Sequence, residues 1–282
     1  MLAAWVGAHV SEGTLATFLS RTATHVQGVE ARIKTALSQA PVIHQDETGR
    51  EVKKRRMWMH GTSTHTLTHD QARESRGKKA WEANGSLAEF RGVSVHDCWA
   101  SFFRYGCQHA LCLAHLLREL TFVAEALGRW WAARLKRLLQ EMKHATDQAR
   151  EQGQAALWPP EVAHITTRCL LLLSEGDQVH PRVTTPTGTG GKAKQHPGRN
   201  LLDRLHKYQV AVPFDNTVAE QDIRTVNVQQ NVSGSFRSTE GAVACCRIRG
   251  SLSTLRKQGL PMFSALQATL TAQPLLPSFS AS

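Results

Sequence analysis

The pattern of apolar and polar residues changes from a helical to a β-type period near residue 40. Before that point, Leu15, Phe18 and Leu19 recur at helical spacing behind Ser11, a good N-cap residue. A second helix is predicted at residues 26–37. The run VSEGTLATFL is also compatible with the second helix of a helix-turn-helix, but a plain capped helix is the simpler interpretation.

From residue 41 the apolar positions alternate with a period of two, which predicts strands. The first strand carries Asp46 within PVIHQDETGREV and is expected to turn at Thr48-Gly49, and the last strand ends on Asp97. Strands are predicted from residue 42 and at 56–61, 65–69 and 92–97, with a short helix at 78–83. The first three strands suit an antiparallel meander. This order predicts a mixed α/β sheet with flanking helices, as in a ribonuclease-H-like fold.

The pattern of the second half of the chain is mostly helical. Amphipathic helices are predicted at residues 110–126, from 129, and at 161–173. A mobile basic loop is predicted at residues 176–198, which are rich in Gly, Pro, Thr and Lys. The TGTGGKAK within this segment lacks the spacing of a phosphate-binding loop. A late helix, capped by Asp215, places Glu220 on the face of Ile223, with Asp222 about 200° away around the helix.

The charge of the chain narrows the choice of partners. Lys and Arg number 34 against 23 Asp and Glu, which gives a formal net charge of +11. Such a surplus favours a polyanion, although a merely basic protein is the alternative. Nucleic acid is favoured over a membrane, because no apolar run approaches the roughly 18 residues of a membrane-spanning helix and no basic amphipathic helix stands out.

Cysteine usage and the start of the chain indicate the compartment. The six cysteines show no disulfide-scaffold pattern, and the first ten residues lack the basic segment of a secretory signal. Both features predict an intracellular protein in a reducing environment.

Three carboxylates occupy positions that call for an explanation. A charged Asp46 inside a strand is costly unless a cation or hydrogen bonds compensate it. Each carboxylate also has a simpler interpretation: Asp46 as a turn residue, Asp97 as the cap of a helix near Trp99, and Glu220 as solvated helix surface. Together, two strand aspartates and a glutamate on a late helix form an arrangement that holds two divalent ions for phosphoryl transfer.

Eight ordered runs resemble the transposases of the insertion sequence 66 family. They extend over about residues 10–261. In chain order, they are HQDETG, SRG, FRGVSVHDCWASFF, HALCLAHLLREL, GRNLLDRL, VPFDNTVAEQDIR, SGSFRS and CRIRGSLSTLRKQG. The resemblance implies a ribonuclease-H-like fold with a DDE triad at Asp46, Asp97 and Glu220 that binds two Mg²⁺, for which Mn²⁺ can substitute. It also implies a cytoplasmic, nucleoid-associated bacterial protein that acts as a homo-oligomer on DNA, at the ends of the element and at the target.

The resemblance suggests a division of the chain. Residues 1–40 would be the remnant of a DNA-binding region, and 41–126 and 201–240 the two parts of the catalytic domain. Residues 127–200 would be a helical insertion, and 241–282 a C-terminal helical segment and tail. Family members usually carry a coiled coil, a zinc module and a helical DNA-binding region ahead of this part, so the chain is expected to be N-terminally truncated.

The implied reaction is hydrolytic cutting at the element's ends, followed by attack of the freed 3′-hydroxyl on target DNA. Asp46 would bridge both ions, and Asp97 and Glu220 would each complete one. Two other functions stay open. One is a non-catalytic remnant that binds DNA or full-length transposase and regulates it; the other is a nuclease that cuts without joining.

Supporting residues are expected around the triad. His115 and Arg118, on the helix that follows the Asp97 strand, would support the metal ligands or contact the scissile phosphate; a core histidine is the alternative for His115. Arg224 and Arg237 are the candidate DNA contacts among the basic residues that follow Glu220. The cluster Cys107, His109, Cys112 and His115 invites a zinc interpretation, but its spacing matches no common zinc pattern.

Overall fold

A computed structural model describes residues 10–53, 55–76, 89–154, 156–183, 193–208 and 236–279. The chain forms two compact units. The first contains residues 1–109 and 216–282, and the second contains residues 110–215. The short helix predicted at 78–83 and the late helix predicted to carry Glu220 lie outside the described residues. No helix in the described ranges is long and apolar enough to cross a membrane.

The described part of the first unit begins with two helices, as the sequence predicts. Helix α1 spans Glu12–His25 and helix α2 spans Gln27–Ser38. The Ser11 hydroxyl accepts a hydrogen bond of 3.0 Å from the Thr14 N–H, which confirms the predicted N-cap. Apolar residues of α2 enter the hydrophobic core of this unit, because Val29, Ile33 and Leu37 are all buried.

A five-stranded mixed sheet follows, with the order β3-β2-β1-β4-β5. The strands are β1 (Val42–Val52), β2 (Arg55–Ser63), β3 (Thr68–Arg73), β4 (Val93–His96) and β5 (Gln108–Leu111). Strands β1, β2 and β3 pair antiparallel, and β4 pairs parallel to β1. The mixed α/β sheet with flanking helices that the sequence predicts is therefore confirmed.

Two details of the predicted sheet are wrong. Strand β1 does not turn at Thr48-Gly49 but continues to Val52, because Arg50 and Val52 keep the alternation and are buried. The third strand begins at Thr68 rather than at residue 65. A hydrogen-bonded turn occupies the preceding residues, in which the Thr64 hydroxyl accepts from the N–H of Leu67 at 3.0 Å.

Helix α7 (Thr239–Lys257) covers the outer edge of the sheet, and helix α8 (Met262–Leu270) follows it. The Thr254 hydroxyl accepts from the Thr68 N–H at 2.9 Å and donates to the Thr68 carbonyl at 3.2 Å. Arg249 also pairs with the buried Asp70 at 3.0 Å. Since β3 is an edge strand, these contacts occupy polar groups that would otherwise invite another chain to pair.

The described part of the second unit contains the helices α3 (Leu113–Thr121), α4 (Trp130–Glu151), α5 (Pro159–Val179) and α6 (Pro197–Lys207). The predicted helix at 110–126 is shorter at its start, because Ala110 and Leu111 belong to β5, and it ends in a π-helical turn at Phe122–Ala126. The predicted loop at 176–198 is also wrong at both ends. Helix α5 continues to Val179 and α6 begins at Pro197, while residues 184–192 lie outside the described ranges.

Close packing explains why Gly176 does not end helix α5. A Cβ atom at this position would lie 2.7 Å from Leu202 and 3.1 Å from the ring of Trp131. The glycine therefore allows α5 to approach its neighbours rather than breaking the helix. Arg199, with 5% of its side chain exposed, joins α5 and α6 through Asp177 at 2.6 Å and Asp203 at 2.8 Å.

Candidate active site

Two of the predicted carboxylates come from neighbouring parallel strands. The pairing of β1 with β4 aligns Ile43 with Ser94 and His44 with Val95. Continued two residues beyond the paired positions, this register would place Asp46 level with Asp97, which directly follows β4. Adjacent strands lie roughly 4.8 Å apart, so the two carboxylates start from positions that one or two shared cations can span.

Local hydrogen bonds orient each carboxylate. Asp46 is half-buried, and its Oδ1 accepts from the N–H of Glu47 at 2.8 Å. Because β1 continues past it, Asp46 is a strand residue and not a turn residue. Asp97 directly follows β4, and its Oδ1 accepts from the Trp99 N–H at 3.1 Å. This contact belongs to a turn and not to a helix cap, because the next helical element is a short 3-10 helix at Phe102–Arg104. The other oxygen, Oδ2, faces a cation.

That cation is Arg76, a residue to which the sequence analysis assigned no role. Its Nη2 lies 3.9 Å from Oδ2 of Asp97, and its Nε donates a short hydrogen bond to Oε1 of Glu47. The guanidinium carbon lies 3.8 Å from the ring centroid of Trp99 and 4.7 Å from that of Trp58. The SRG run was the available signal, but sequence alone does not bring residue 76 close to residues 47 and 97.

Glu47 is the buried anchor of this arrangement. Only 1% of its side chain is exposed, and its Oε2 lies 3.4 Å from Nδ1 of His60, which is directly opposite Glu47 in the β1–β2 register. Burial by itself raises the pKa of Glu47. Hydrogen bonds and positive charge from His60 and Arg76 outweigh that effect and leave the pKa below its usual value.

His96, the last residue of strand β4, packs against Phe102 and a second histidine. The His96 ring stacks on Phe102 with centroids 4.4 Å apart, and its Nε2 lies 3.1 Å from Nδ1 of His109. Burial lowers the pKa of His96 to about 4, so its ring is neutral at pH 7. At Gln45, the residue before Asp46, Oε1 accepts a hydrogen bond of 2.6 Å from the Ser94 hydroxyl, which connects β4 to β1.

Comparison with known proteins identifies the family. The family model described as "Transposase IS66 family" matches residues 1–244 of the 282-residue chain. This chain belongs to the IS66 family of transposases. No curated protein matches it with significant similarity. Family membership makes the chain a transposase, which indicates an enzyme that acts on DNA, and it confirms the resemblance found in the sequence.

The remaining predicted site residues of the transposase are placed as follows. Glu220 and Arg224 lie outside the described residues. Arg237 is described in the first unit, where 81% of its side chain is exposed and it forms an ion pair with Glu12. His115 and Arg118 are on helix α3 of the second unit, His115 partly buried and Arg118 exposed.

The chemistry of the described carboxylates fits Mg²⁺, which prefers hard oxygen ligands. Among the described residues, no group of three or more His, Cys, Asp and Glu is placed to hold a metal ion. Of the three ligands that the family resemblance implies, Asp46 and Asp97 lie in the described ranges and Glu220 does not. The zinc interpretation gains no support within the described ranges, where both ring nitrogens of His109 already face His96 and the Tyr105 carbonyl.

Proposed function

We propose that this transposase catalyses metal-dependent cleavage and strand transfer of insertion-sequence ends by a DDE mechanism. The observation that carries the proposal is the parallel pairing of β1, which contains Asp46, with β4, which Asp97 directly follows. The proposed fold is ribonuclease-H-like. A meander of three antiparallel strands, with a fourth strand parallel to the first, supports that assignment.

Asp46, Asp97 and Glu220 are the proposed ligands of two divalent cations. When bound, Mg²⁺ or Mn²⁺ activates the attacking oxygen and stabilises the leaving oxygen of an in-line displacement at phosphorus. Asp46 would hold both ions, and Asp97 and Glu220 would each hold one. The attacking group is first water, which frees a 3′-hydroxyl at the element's end, and then that 3′-hydroxyl, which joins target DNA.

Basic residues orient the duplex in this proposal. Arg224 and Arg237 contact the DNA backbone, which positions the duplex without reading its sequence. The 81% exposure of the Arg237 side chain and the net charge of +11 support such contacts. His115 and Arg118 remain proposed supports of the metal ligands or of the scissile phosphate. The acting form is proposed to be a homo-oligomer on DNA.

Nicking of supercoiled plasmid at low salt tests the proposal without knowledge of the element's ends. We expect metal-dependent nicking by the wild-type chain in Mg²⁺ or Mn²⁺, and a loss of at least about a hundredfold in Asp46→Asn, Asp97→Asn and Glu220→Gln, since each removes charge stabilisation worth several kcal/mol. Asp147→Asn is the matched control. Asp147 pairs with Lys143 on the surface of helix α4 and should not affect nicking.

The possible results separate the candidate functions. Equal nicking by wild type and Asp97→Asn would contradict the assignment of Asp97. Binding of DNA without nicking by the wild-type chain would favour the non-catalytic regulator. Nicking that is never followed by joining, tested with precut ends of the element, would favour a nuclease.

A further inference from the structure

Arg76 is enclosed by two carboxylates and two aromatic rings. Glu47 accepts from its Nε, Asp97 lies beside its Nη2, and Trp58 and Trp99 cover the guanidinium. Arginine suits such a position, since its planar fork both stacks on rings and forms paired hydrogen bonds with carboxylate or phosphate. This is a built site for a cation directly beside a proposed metal ligand.

The two carboxylates hold Arg76 unequally. Glu47 is almost completely buried, with 1% of its side chain exposed, and it accepts a hydrogen bond from Nε of Arg76. Asp97 is 25% exposed, and its nearest oxygen lies 3.9 Å from Arg76. Glu47 is therefore the permanent anchor, whereas the contact with Asp97 is the one that can be exchanged.

The charge at Asp97 changes when a divalent cation binds. Without the cation, Arg76 partly neutralises the Asp97 carboxylate. When the cation is bound, it neutralises the carboxylate, and the electrostatic attraction between Asp97 and the adjacent guanidinium is lost. With 29% of its side chain exposed, Arg76 remains accessible to another anion at the same place. The anion that DNA chemistry brings there is a backbone phosphate.

We propose that Arg76 is a metal-responsive phosphate-binding residue: it pairs with Asp97 before metal binding and contacts the reacting DNA phosphate afterwards. Glu47 and His60 are the positioning residues that hold it, and the two tryptophans fix the plane of the guanidinium. The inference rests on the proposed function, because it requires a divalent cation at Asp97.

Metal affinity in the absence of DNA tests the first half of the proposal. The probe is Tb³⁺ luminescence excited through tryptophan, since Trp58 and Trp99 both contact Arg76. We expect Arg76→Gln to bind Tb³⁺ about two- to fivefold more tightly, which is the effect of removing a partly exposed ion pair of up to about 1 kcal/mol. Unchanged or weaker Tb³⁺ binding would overturn the competition between Arg76 and metal.

The salt dependence of DNA binding tests the second half. DNA affinity is measured over a range of salt concentrations in Ca²⁺ and, separately, in EDTA. We expect Arg76→Gln to reduce the slope of log affinity against log salt by about 0.9 in Ca²⁺, as for the loss of one phosphate contact, and to leave the slope in EDTA unchanged. Arg73→Gln is the control, since Arg73 is a cation on β3 three residues away, and it should not show this dependence on the divalent ion. An unchanged slope in Ca²⁺ would overturn the phosphate contact.

A conservative variant separates the effect of losing the guanidinium from the effect of misfolding. Arg76→Lys keeps a positive charge for Glu47 but removes the planar fork, so we expect a folded protein with reduced nicking and a weakened plasmid affinity in Ca²⁺. Nicking by Arg76→Lys and Arg76→Gln at the wild-type rate would overturn the proposal. Failure of the proposed function is recognised separately, because Asp97→Asn would then bind Tb³⁺ and nick DNA as the wild type does.

Discussion

Glu30 and Glu47 show how individual carboxylates stay charged inside the first unit. Glu30 lies between His69 of β3, at 3.4 Å, and Arg247 of α7, at 2.6 Å. Burial by itself raises the pKa of Glu30, but hydrogen bonds and positive charge from His69 and Arg247 outweigh that effect and leave the pKa below its usual value. Glu47 follows the same rule with His60 and Arg76. Glu30 therefore connects α2, β3 and α7.

Replacement of Glu30 should change how stability depends on pH. Because the folded pKa is lowered, the stabilisation by charged Glu30 is present above about pH 4.5 and is lost as pH falls through the folded pKa. We expect Glu30→Gln to be less stable by about 1–3 kcal/mol at pH 7 and to approach the wild type on acidification. Urea denaturation at several pH values measures this. Glu151→Gln, at an exposed helix end, is the control; a pH-independent difference between Glu30→Gln and wild type would contradict the account.

The element that aligns the candidate site is the β1–β4 pair. Gly92 precedes β4 at a point where the backbone of residues 40 and 41 passes closely. A Cβ atom there would lie 2.8 Å from the Ala40 carbonyl oxygen and closer still to that of Pro41. Backbone atoms cannot move aside as a flexible side chain can. Glycine at this position therefore allows β4 to lie beside β1 in the observed register.

Gly92→Ala should therefore displace β4 and weaken the site. We expect a loss of about 1–3 kcal/mol in stability, as for overpacking, together with a loss of nicking in the remaining folded protein. Gly106→Ala is the matched control, because a Cβ atom at Gly106 would meet nothing within 4 Å. Thermal unfolding and plasmid nicking measure the two effects, and equal behaviour of both variants would argue against a close strand approach at Gly92.

Elements with a clear local pattern could be predicted from the sequence. Ser11 and the helical spacing after it predict α1, and the alternation predicts the strand that contains Asp46 and the strand that Asp97 directly follows. The errors arose where tertiary contacts override local pattern. Ala110 and Leu111 suit a helix but pair in the sheet, and Gly176 resembles a helix breaker but permits close packing.

The whole molecule adds contacts between residues that are distant in sequence. Arg76 contacts Glu47, 29 positions away in the sequence, and Asp97, 21 positions away. Arg247 contacts Glu30, 217 positions away. No local period encodes such contacts, so the SRG run by itself does not indicate the position of Arg76. The family match shows a transposase, and the proposed place of its chemistry is the β1–β4 pair.

A change of ligand atom at Asp97 tests that central claim most directly. Sulfur is a poor ligand for Mg²⁺ but is accepted by softer ions such as Mn²⁺. If Asp97 binds a catalytic metal, Asp97→Cys should lose plasmid nicking in Mg²⁺ and regain a substantial part of it in Mn²⁺, whereas Asp97→Ala should stay inactive in both. Wild-type nicking by Asp97→Cys in Mg²⁺, or no recovery in Mn²⁺ by a folded variant that still binds DNA, would contradict a metal-binding role for Asp97.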